Sequence, residues 1–345
     1  MRKAIILFNL GGPDSIDNVE PFLFNLFNDP AILNLPNFLR YPLAKLIANR
    51  RAPTAKKIYE ELGGSSPILK LTAKQSSALE LKLNQDDATS EYKCFIVMRC
   101  WHPRAQDVVK EVIKYNPDEV ILMPLYPQYS AATSGSSIKE WKDICHKNNY
   151  KVKTSIICCY PTDKNFIQAH NDEIIKKIKD LVNYKLIFSA HGLPEKNIKK
   201  GDPYQWQVEQ SVDEIVKSLN IKNLDWILSY QSRVGPLKWI GPATDEVIVE
   251  NAKAGKHIVL VPIAFVSEHS ETLVELDIEY KKLANDNGCN QYTRVSALGT
   301  NQDYMKCLSD LIIGKDNYKF SENLYPPKSR CPSQFKKCPC LNNNI

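Results

Sequence analysis

No apolar run in this 345-residue sequence approaches the ~18 residues a membrane-spanning helix needs. No long basic run is present either, and no recognition motif for nucleic acid. A net charge of +6 with a pI near 8.6 therefore does not argue for a nucleic-acid partner. The six histidines include no close pair and no HExxH, which removes the zinc-hydrolase signature. Met1-Arg-Lys leads straight into the strand-like Ala4-Ile-Ile-Leu-Phe8, so no secretory leader is expected. Ten cysteines without a leader point to a reducing, cytoplasmic setting, where thiols serve as metal or cluster ligands more readily than as a disulfide framework.

What is present is a chain with 43 % hydrophobic residues, enough for one large domain or two ordinary ones. Apolar runs predict strands over 4–8, 94–99, 119–123 and 152–158, then over 186–189, 225–230, 257–262 and 292–297. Helical patterns fall between them, including 203–219, 242–254 and 268–286, and a charged amphipathic helix over 163–183 joins the two sets. Alternating strands and helices imply a parallel, doubly wound α/β fold. The two sets echo each other: Met123-Pro-Leu-Tyr matches Val261-Pro-Ile-Ala, and Asn9-Leu-Gly-Gly-Pro13 matches Ala190-His-Gly-Leu-Pro194. Two four-stranded α/β halves facing across a cleft are expected, over 1–160 and 161–320, followed by a tail over 321–345.

Residues 19–51 crowd Phe22, Leu23, Phe24, Leu26, Phe27 and a further apolar series among Arg40, Lys45, Arg50 and Arg51. They read either as a pair of core helices or as an apolar lip that touches a greasy ligand or a bilayer surface, with basic residues toward anionic headgroups.

The stretch Leu186-Ile-Phe-Ser-Ala-His191-Gly-Leu-Pro194 ends a buried strand on a histidine, stopped by Gly192 and Pro194. Ligands of open α/β sheets bind at the carboxyl ends of strands, so His191 is a candidate base, or simply a turn residue. Glu271, Glu275 and Glu279 follow another strand at helical spacing. They are a solvated face, or a file that passes protons or divalent cations. A histidine and a glutamate meeting across a cleft can accept protons or bind a divalent metal. The tail carries Cys331, Cys338 and Cys340 among Lys328, Arg330, Lys336 and Lys337, with no acid from Lys328 onward. It is a disordered basic tail, or a three-thiolate set for an iron–sulfur or zinc site whose fourth ligand comes from the body.

Together with Gly63-Gly-Ser-Ser-Pro-Ile68, Leu125-Tyr-Pro-Gln-Tyr129, Tyr230-Gln-Ser-Arg-Val-Gly-Pro236 and Glu271-Thr-Leu-Val-Glu-Leu-Asp-Ile-Glu-Tyr280, these stretches give the chain a near full-length resemblance to ferrochelatase. The resemblance implies a lyase of haem biosynthesis that inserts Fe²⁺ into protoporphyrin, with coproporphyrin as the alternative substrate, between two Rossmann-like halves. It implies that His191 and Glu271 are the catalytic pair and meet the Fe²⁺, and that Glu275 and Glu279 continue an acidic path. It places Arg99 at a propionate, and Tyr126, Ser130 and Trp239 along the pocket. Cys100 stands where some relatives carry an aromatic.

The tail spacing C-x6-C-x-C resembles bacterial ferrochelatases that hold a [2Fe–2S] cluster, here by Cys331, Cys338, Cys340 and Cys158, with Cys159 as the alternative fourth ligand. Ala131 stands where animal-type relatives place the internal ligand. Peripheral contact with the inner membrane follows from the lip reading. A sister chelatase loading Co²⁺ or Ni²⁺ and a non-enzymatic haem carrier are the competing functions. The carrier would want an axial His or Met in a closed pocket, not an acidic file.

Overall fold

The computed structural model describes residues 1–178, 181–233, 235, 237–314, 324–325 and 331–342. Its strands are β1 (Arg2–Asn9), β2 (Glu91–Met98), β3 (Glu119–Pro124), β4 (Lys153–Ile157), β5 (Tyr184–His191), β6 (Trp226–Gln231), β7 (His257–Pro262), β8 (Tyr292–Arg294) and β9 (Leu324–Tyr325). The helices are α1 (Val19–Phe27), α2 (Asn37–Glu61), α3 (Ile68–Asp86), α4 (Ala105–Tyr115), α5 (Ser134–Lys147), α6 (Lys164–Ile178), α7 (Glu195–Lys199), α8 (Tyr204–Leu219), α9 (Thr244–Lys253), a π-helix (Glu271–Glu279), α10 (Tyr280–Asp286), α11 (Gln302–Ile313) and α12 (Pro339–Asn342).

Both sheets are parallel throughout. The first runs β2-β1-β3-β4-β9 and the second β6-β5-β7-β8. The order of the first four strands is repeated by the second sheet, so the echoing stretches occupy equivalent places: Asn9 and His191 each end a central strand. The sequence reading expected four strands in each half. The first sheet has five, because Leu324–Tyr325 returns from the end of the chain to pair with β4. A two-residue strand carries too little apolar pattern to be read from sequence.

Central strands are apolar on both faces, as a sheet covered by helices requires. All of Glu119–Pro124 is buried, as is Ala4–Asn9. One continuous core crosses both halves and includes Leu7, Leu79, Phe166, Phe188, Val259 and Leu308. Helix α11 packs on α6 and α3, and α6 on α8, which ties the halves together.

Two other elements differ from the sequence reading. The two helices expected within 19–51 are present, but the second, α2, runs on to Glu61 through Pro42 and Pro53. The helix expected over 268–286 opens as a π-helix over its first nine residues, with i→i+5 hydrogen bonding. Such wide turns give no periodic apolar signal of their own.

His170 on α6 lies in the core, edge-on to Phe166 at 4.8 Å, with no hydrogen-bond partner for either ring nitrogen among the described residues. Burial lowers its pKa from 6.5 to about 3. The folded state therefore keeps it neutral, while the unfolded chain takes up a proton below pH 6.5. Stability is expected to fall as pH drops from 6.5 toward 3 on account of this residue. Urea unfolding at pH 7.5, 6 and 5 should show a shallower pH dependence in His170→Leu than in the parent. Parallel curves would mean that the ring is not the titrating group.

Candidate active site

His191 is the last residue of β5, the central strand of the second sheet next to β6 and β7. The chain turns at once, and Gly192 donates its N–H to the Gln231 carbonyl at 2.9 Å. A Cβ on Gly192 would lie 2.9 Å from that same oxygen and 3.2 Å from Trp239 Cε3, so this close approach needs a residue without a side chain. The His191 ring is fixed by its own turn: Nδ1 lies 2.7 Å from the Gly192 carbonyl. A carbonyl only accepts, so Nδ1 carries the proton and Nε2 of the neutral ring keeps its lone pair. Tyr204, at the start of α8, donates its hydroxyl to the His191 carbonyl at 3.0 Å.

Glu271 opens the π-helix after β7, and its Oε1 lies 3.7 Å from His191 Nε2, with both side chains partly exposed, at 30 % and 39 %. Its Oε2 is buried and has no partner among the described residues. The loop thus brings to His191 a carboxylate oxygen with an unused acceptor, beside a ring nitrogen with a free lone pair.

Two residues that sequence reasoning missed complete this wall. His269 accepts the Glu271 N–H on Nδ1 at 3.0 Å, and its ring meets Phe265 edge-on at 4.5 Å. Burial, with smaller contributions from His191 and Arg294, lowers its pKa below the ordinary value against the pull of Glu271. His269 stands two residues before Glu271, and that proximity was the available signal. Tyr59 reaches over from α2, its hydroxyl 3.4 Å from Ser270 Oγ, and burial pushes its pKa up to about 12. Tyr59 sits between Lys56, Lys57, Glu60 and Glu61 near the end of a long helix, which gives no sign that it faces the opposite wall.

The three glutamates read as one file have three different settings. Glu271 faces His191. Glu275 is held by Ser232, which donates its N–H at 3.0 Å and its hydroxyl at 2.5 Å, and by the Tyr280 hydroxyl at 2.8 Å. Ser232 adopts a left-handed backbone, φ 59°, to make both bonds. Glu279 is exposed. On the same helix Asp277 pairs with both arms of Arg294, at 2.6 and 2.7 Å.

Arg99, expected at a carboxylate of the ligand, is already engaged within the chain. Its guanidinium meets Asp29 at 3.0 Å, Glu140 at 3.1 Å and Ser136 at 2.7 Å, and is 13 % exposed. Tyr126 lies beside this group, close to Cys100 and Arg99. Ser130 is buried and donates to Asp202 at 3.0 Å while accepting from the Ala132 N–H at 3.1 Å, so its hydroxyl fastens the loop after β3 to the second half. Trp239 packs beside Gly192, next to His191. Cys100 is buried and its pKa is pushed up to about 12 by desolvation.

The tail returns to the body. Lys337 donates its N–H to the Gly201 carbonyl at 3.0 Å, and Phe335 packs on Trp206. The tail cysteines converge on the first half: Cys158 is fully buried and shares hydrogen bonds with Cys159, Cys338 and Cys340, and Cys331 contacts Cys338. Hydrogen bonds from Cys158, Cys331 and Cys340 hold the Cys338 thiol far below its ordinary pKa, while burial pushes Cys158 up. Gln207 donates to Cys331 Sγ at 3.3 Å and Cys159 Sγ at 3.4 Å. Cys158 rather than Cys159 thus touches two tail thiols. Among the described residues no three His, Cys, Asp or Glu side chains are disposed to hold a metal ion. Lys328 and Arg330 lie outside the described residues, as do Val234 and Pro236 of the Tyr230–Pro236 stretch.

The lip helices bury Phe22, Leu23, Ala48 and Ala52 against each other. They leave Phe38, Leu39, Tyr41 and Leu46 exposed, Phe38 by 75 %. The pair therefore has one packed face, as core helices do, and one exposed apolar face.

A family model for ferrochelatase matches residues 2–316. The chain is 80 % identical over 342 residues to a ferrochelatase of Pelagibacter ubique (strain HTCC1062), covering 99 % of each. It is 49 % identical over 346 residues to a ferrochelatase of Rickettsia bellii (strain OSU 85-389), covering 99 % of this chain and 96 % of the relative. Among solved structures, SirB from Bacillus subtilis with Fe³⁺ superposes with a TM-score of 0.55 at 12 % identity, over 91 % of this chain and 95 % of the other. That likeness is one of fold.

Proposed function

This chain belongs to the ferrochelatase family, enzymes that place ferrous iron in a porphyrin in haem synthesis, and from that premise we propose how its own residues do so. The substrate is protoporphyrin IX, with coproporphyrin III as the alternative. The reaction exchanges two pyrrole N–H protons for one Fe²⁺, so the site needs a proton acceptor and an anion that replaces water on the metal. His191 Nε2 is the acceptor and Glu271 the anion. The observation that carries this reading is the pair itself: 3.7 Å apart, with one nitrogen lone pair and one carboxylate oxygen uncommitted. Porphyrin nitrogens present their lone pairs only when the ring buckles, so a cleft that holds the buckled form favours the transition state. Trp239 and Tyr126 are proposed to line that cleft, with Glu275 and Glu279 leading outward from Glu271. For Arg99 to meet a propionate, it must share its guanidinium with Asp29 and Glu140. Ser130 is proposed to act on the pocket through its loop. Anaerobic addition of Fe²⁺ and each porphyrin should give a haem spectrum. Binding of preformed haem without turnover would favour a carrier.

The halves proposed for this work are 1–160 and 161–320, with 321–345 as the tail. A [2Fe–2S] cluster on Cys158, Cys331, Cys338 and Cys340 is a finer proposal. What supports it is that the donors are all thiols and that Cys158 of the body touches Cys338 and Cys340 of the tail, although the thiols are not arranged around a common metal position, and the tail is too polar to order alone. When bound, the cluster would supply a structural cross-link. Protein purified anaerobically is expected to be brown, and Cys338→Ser to be colourless, with a lower melting temperature. Colourless parent protein without iron or sulfide would leave the tail as thiols only.

No helix among the described residues is long and apolar enough to cross a membrane. The exposed Phe38, Leu39, Tyr41 and Leu46, with Lys45 and Arg50 nearby, support peripheral contact with an anionic bilayer, in a protein otherwise of the cytoplasm. Retention on anionic liposomes is expected at low salt and should weaken as salt rises; no retention at low salt would remove the proposal.

A further inference from the structure

Gln75 is buried in the seam between the halves, 1 % exposed, on α3 of the first half. Its amide is fully used by the second half. Nε2 donates to the Val266 carbonyl and to the Gly299 carbonyl, each at 2.9 Å, and Oε1 accepts from Ser267 Oγ at 2.7 Å. Val266 and Ser267 belong to the loop that leaves β7 and delivers His269 and Glu271. Gly299 N–H also donates to the Val266 carbonyl at 2.9 Å, so the amide clamps two loops at once. On the first-half side, α3 is anchored one turn earlier, where Asn9 Nδ2 donates to Thr72 Oγ1 at 3.0 Å. Asn9 ends β1, as His191 ends β5.

Two donors facing two carbonyls, plus an acceptor facing a hydroxyl, is a pattern a glutamine meets and its isosteres do not. Glutamate in its neutral form offers one donor, and leucine offers none. A buried carbonyl left unpaired favours movement of its loop toward another partner.

We propose that Gln75 is a positioning residue for iron insertion: it sets where the Glu271 carboxylate stands relative to His191, and so the metal-accepting geometry of the site. This rests on the reading above that His191 and Glu271 carry the chemistry. Misplacement of a reacting group by about 1 Å can cost ~10²-fold in rate. Porphyrin held by the other pocket walls should be affected far less.

The test compares the full-length parent with Gln75→Leu, Gln75→Glu and Glu271→Gln in one anaerobic assay, with folded sites counted by porphyrin fluorescence titration. The expected result per folded site is a kcat about tenfold or more lower in Gln75→Leu, with a KM for Fe²⁺ severalfold higher and a porphyrin Kd within about twofold. Gln75→Glu should fall between, because its buried neutral acid keeps one donor. A purely structural role would lower the melting temperature and the number of sites, yet leave kcat per site and the KM for Fe²⁺ unchanged; that result overturns the proposal. If Gln75→Leu will not fold, the same readings on Gln75→Glu decide. If Glu271→Gln is itself unimpaired, the reading of the site has failed. If Glu271→Gln is inactive while the Gln75 variants are normal per site, only the positioning role has failed.

Discussion

Replacing His191 with alanine is expected to lower turnover by about 10²–10⁴-fold while porphyrin binding stays near that of the parent. The ring is held so that Nδ1–H meets the Gly192 carbonyl at 2.7 Å, which leaves Nε2 as the basic atom directed at Glu271. Tyr204 and Gln231 fasten the backbone on either side, so removing the ring takes away a proton acceptor without loosening the turn. His191→Asn restores a polar side chain without a base and should not rescue the rate. Stopped-flow haem formation, with porphyrin binding followed separately by fluorescence, distinguishes lost chemistry from lost binding. Near-normal turnover in the alanine variant would return His191 to the role of a turn residue.

Replacing Glu271 with glutamine is expected to cost at least about 10²-fold, with shape kept and charge removed. The free Oε2 is the point at issue: an amide there cannot serve as an anion for Fe²⁺. Glu275→Gln should cost less than about tenfold, because Glu275 is tied to Ser232 and Tyr280 rather than paired with His191. Its expected signature is a raised KM for Fe²⁺ with little change in kcat at saturating metal. Equal, small losses at both positions would mean that the glutamates form a solvated face and that the anion lies elsewhere.

Much of the architecture was legible because buried parallel strands are long apolar runs: β7 was read to its last residue, and β5 was placed by its Leu186–Ser189 core. The repeat was legible because equivalent strands end on equivalent turns, Pro124 with Pro262. Hidden were features set by distant partners. The π-helical opening at Glu271 keeps the residue spacing of an ordinary helix in sequence, and β9 is a two-residue strand recruited by β4. The site divided in the same way. His191 stood out at the end of its strand, and Glu271 at the start of the helix that follows β7. Tyr59 and Gln75 are defined by contacts across the seam, which no local pattern encodes, whereas His269 was signalled only by its place two residues before Glu271. Arg99 and Ser130 were located by resemblance; their present hydrogen bonds are to Asp29, Glu140 and Asp202, carboxylates far from them in sequence.

The return of Leu324–Tyr325 to β4 gives the order of synthesis a part in folding. The outer edge of β4 is made within the first 160 residues, but its partner leaves the ribosome only after the whole second sheet has been translated. At roughly 5–20 residues per second, that edge stays open for about ten seconds or more. An unpaired parallel edge with apolar neighbours is a template for wrong pairing. Chains cut short before residue 324 should therefore aggregate through the open edge of β4, which light scattering of truncated and full-length protein compares.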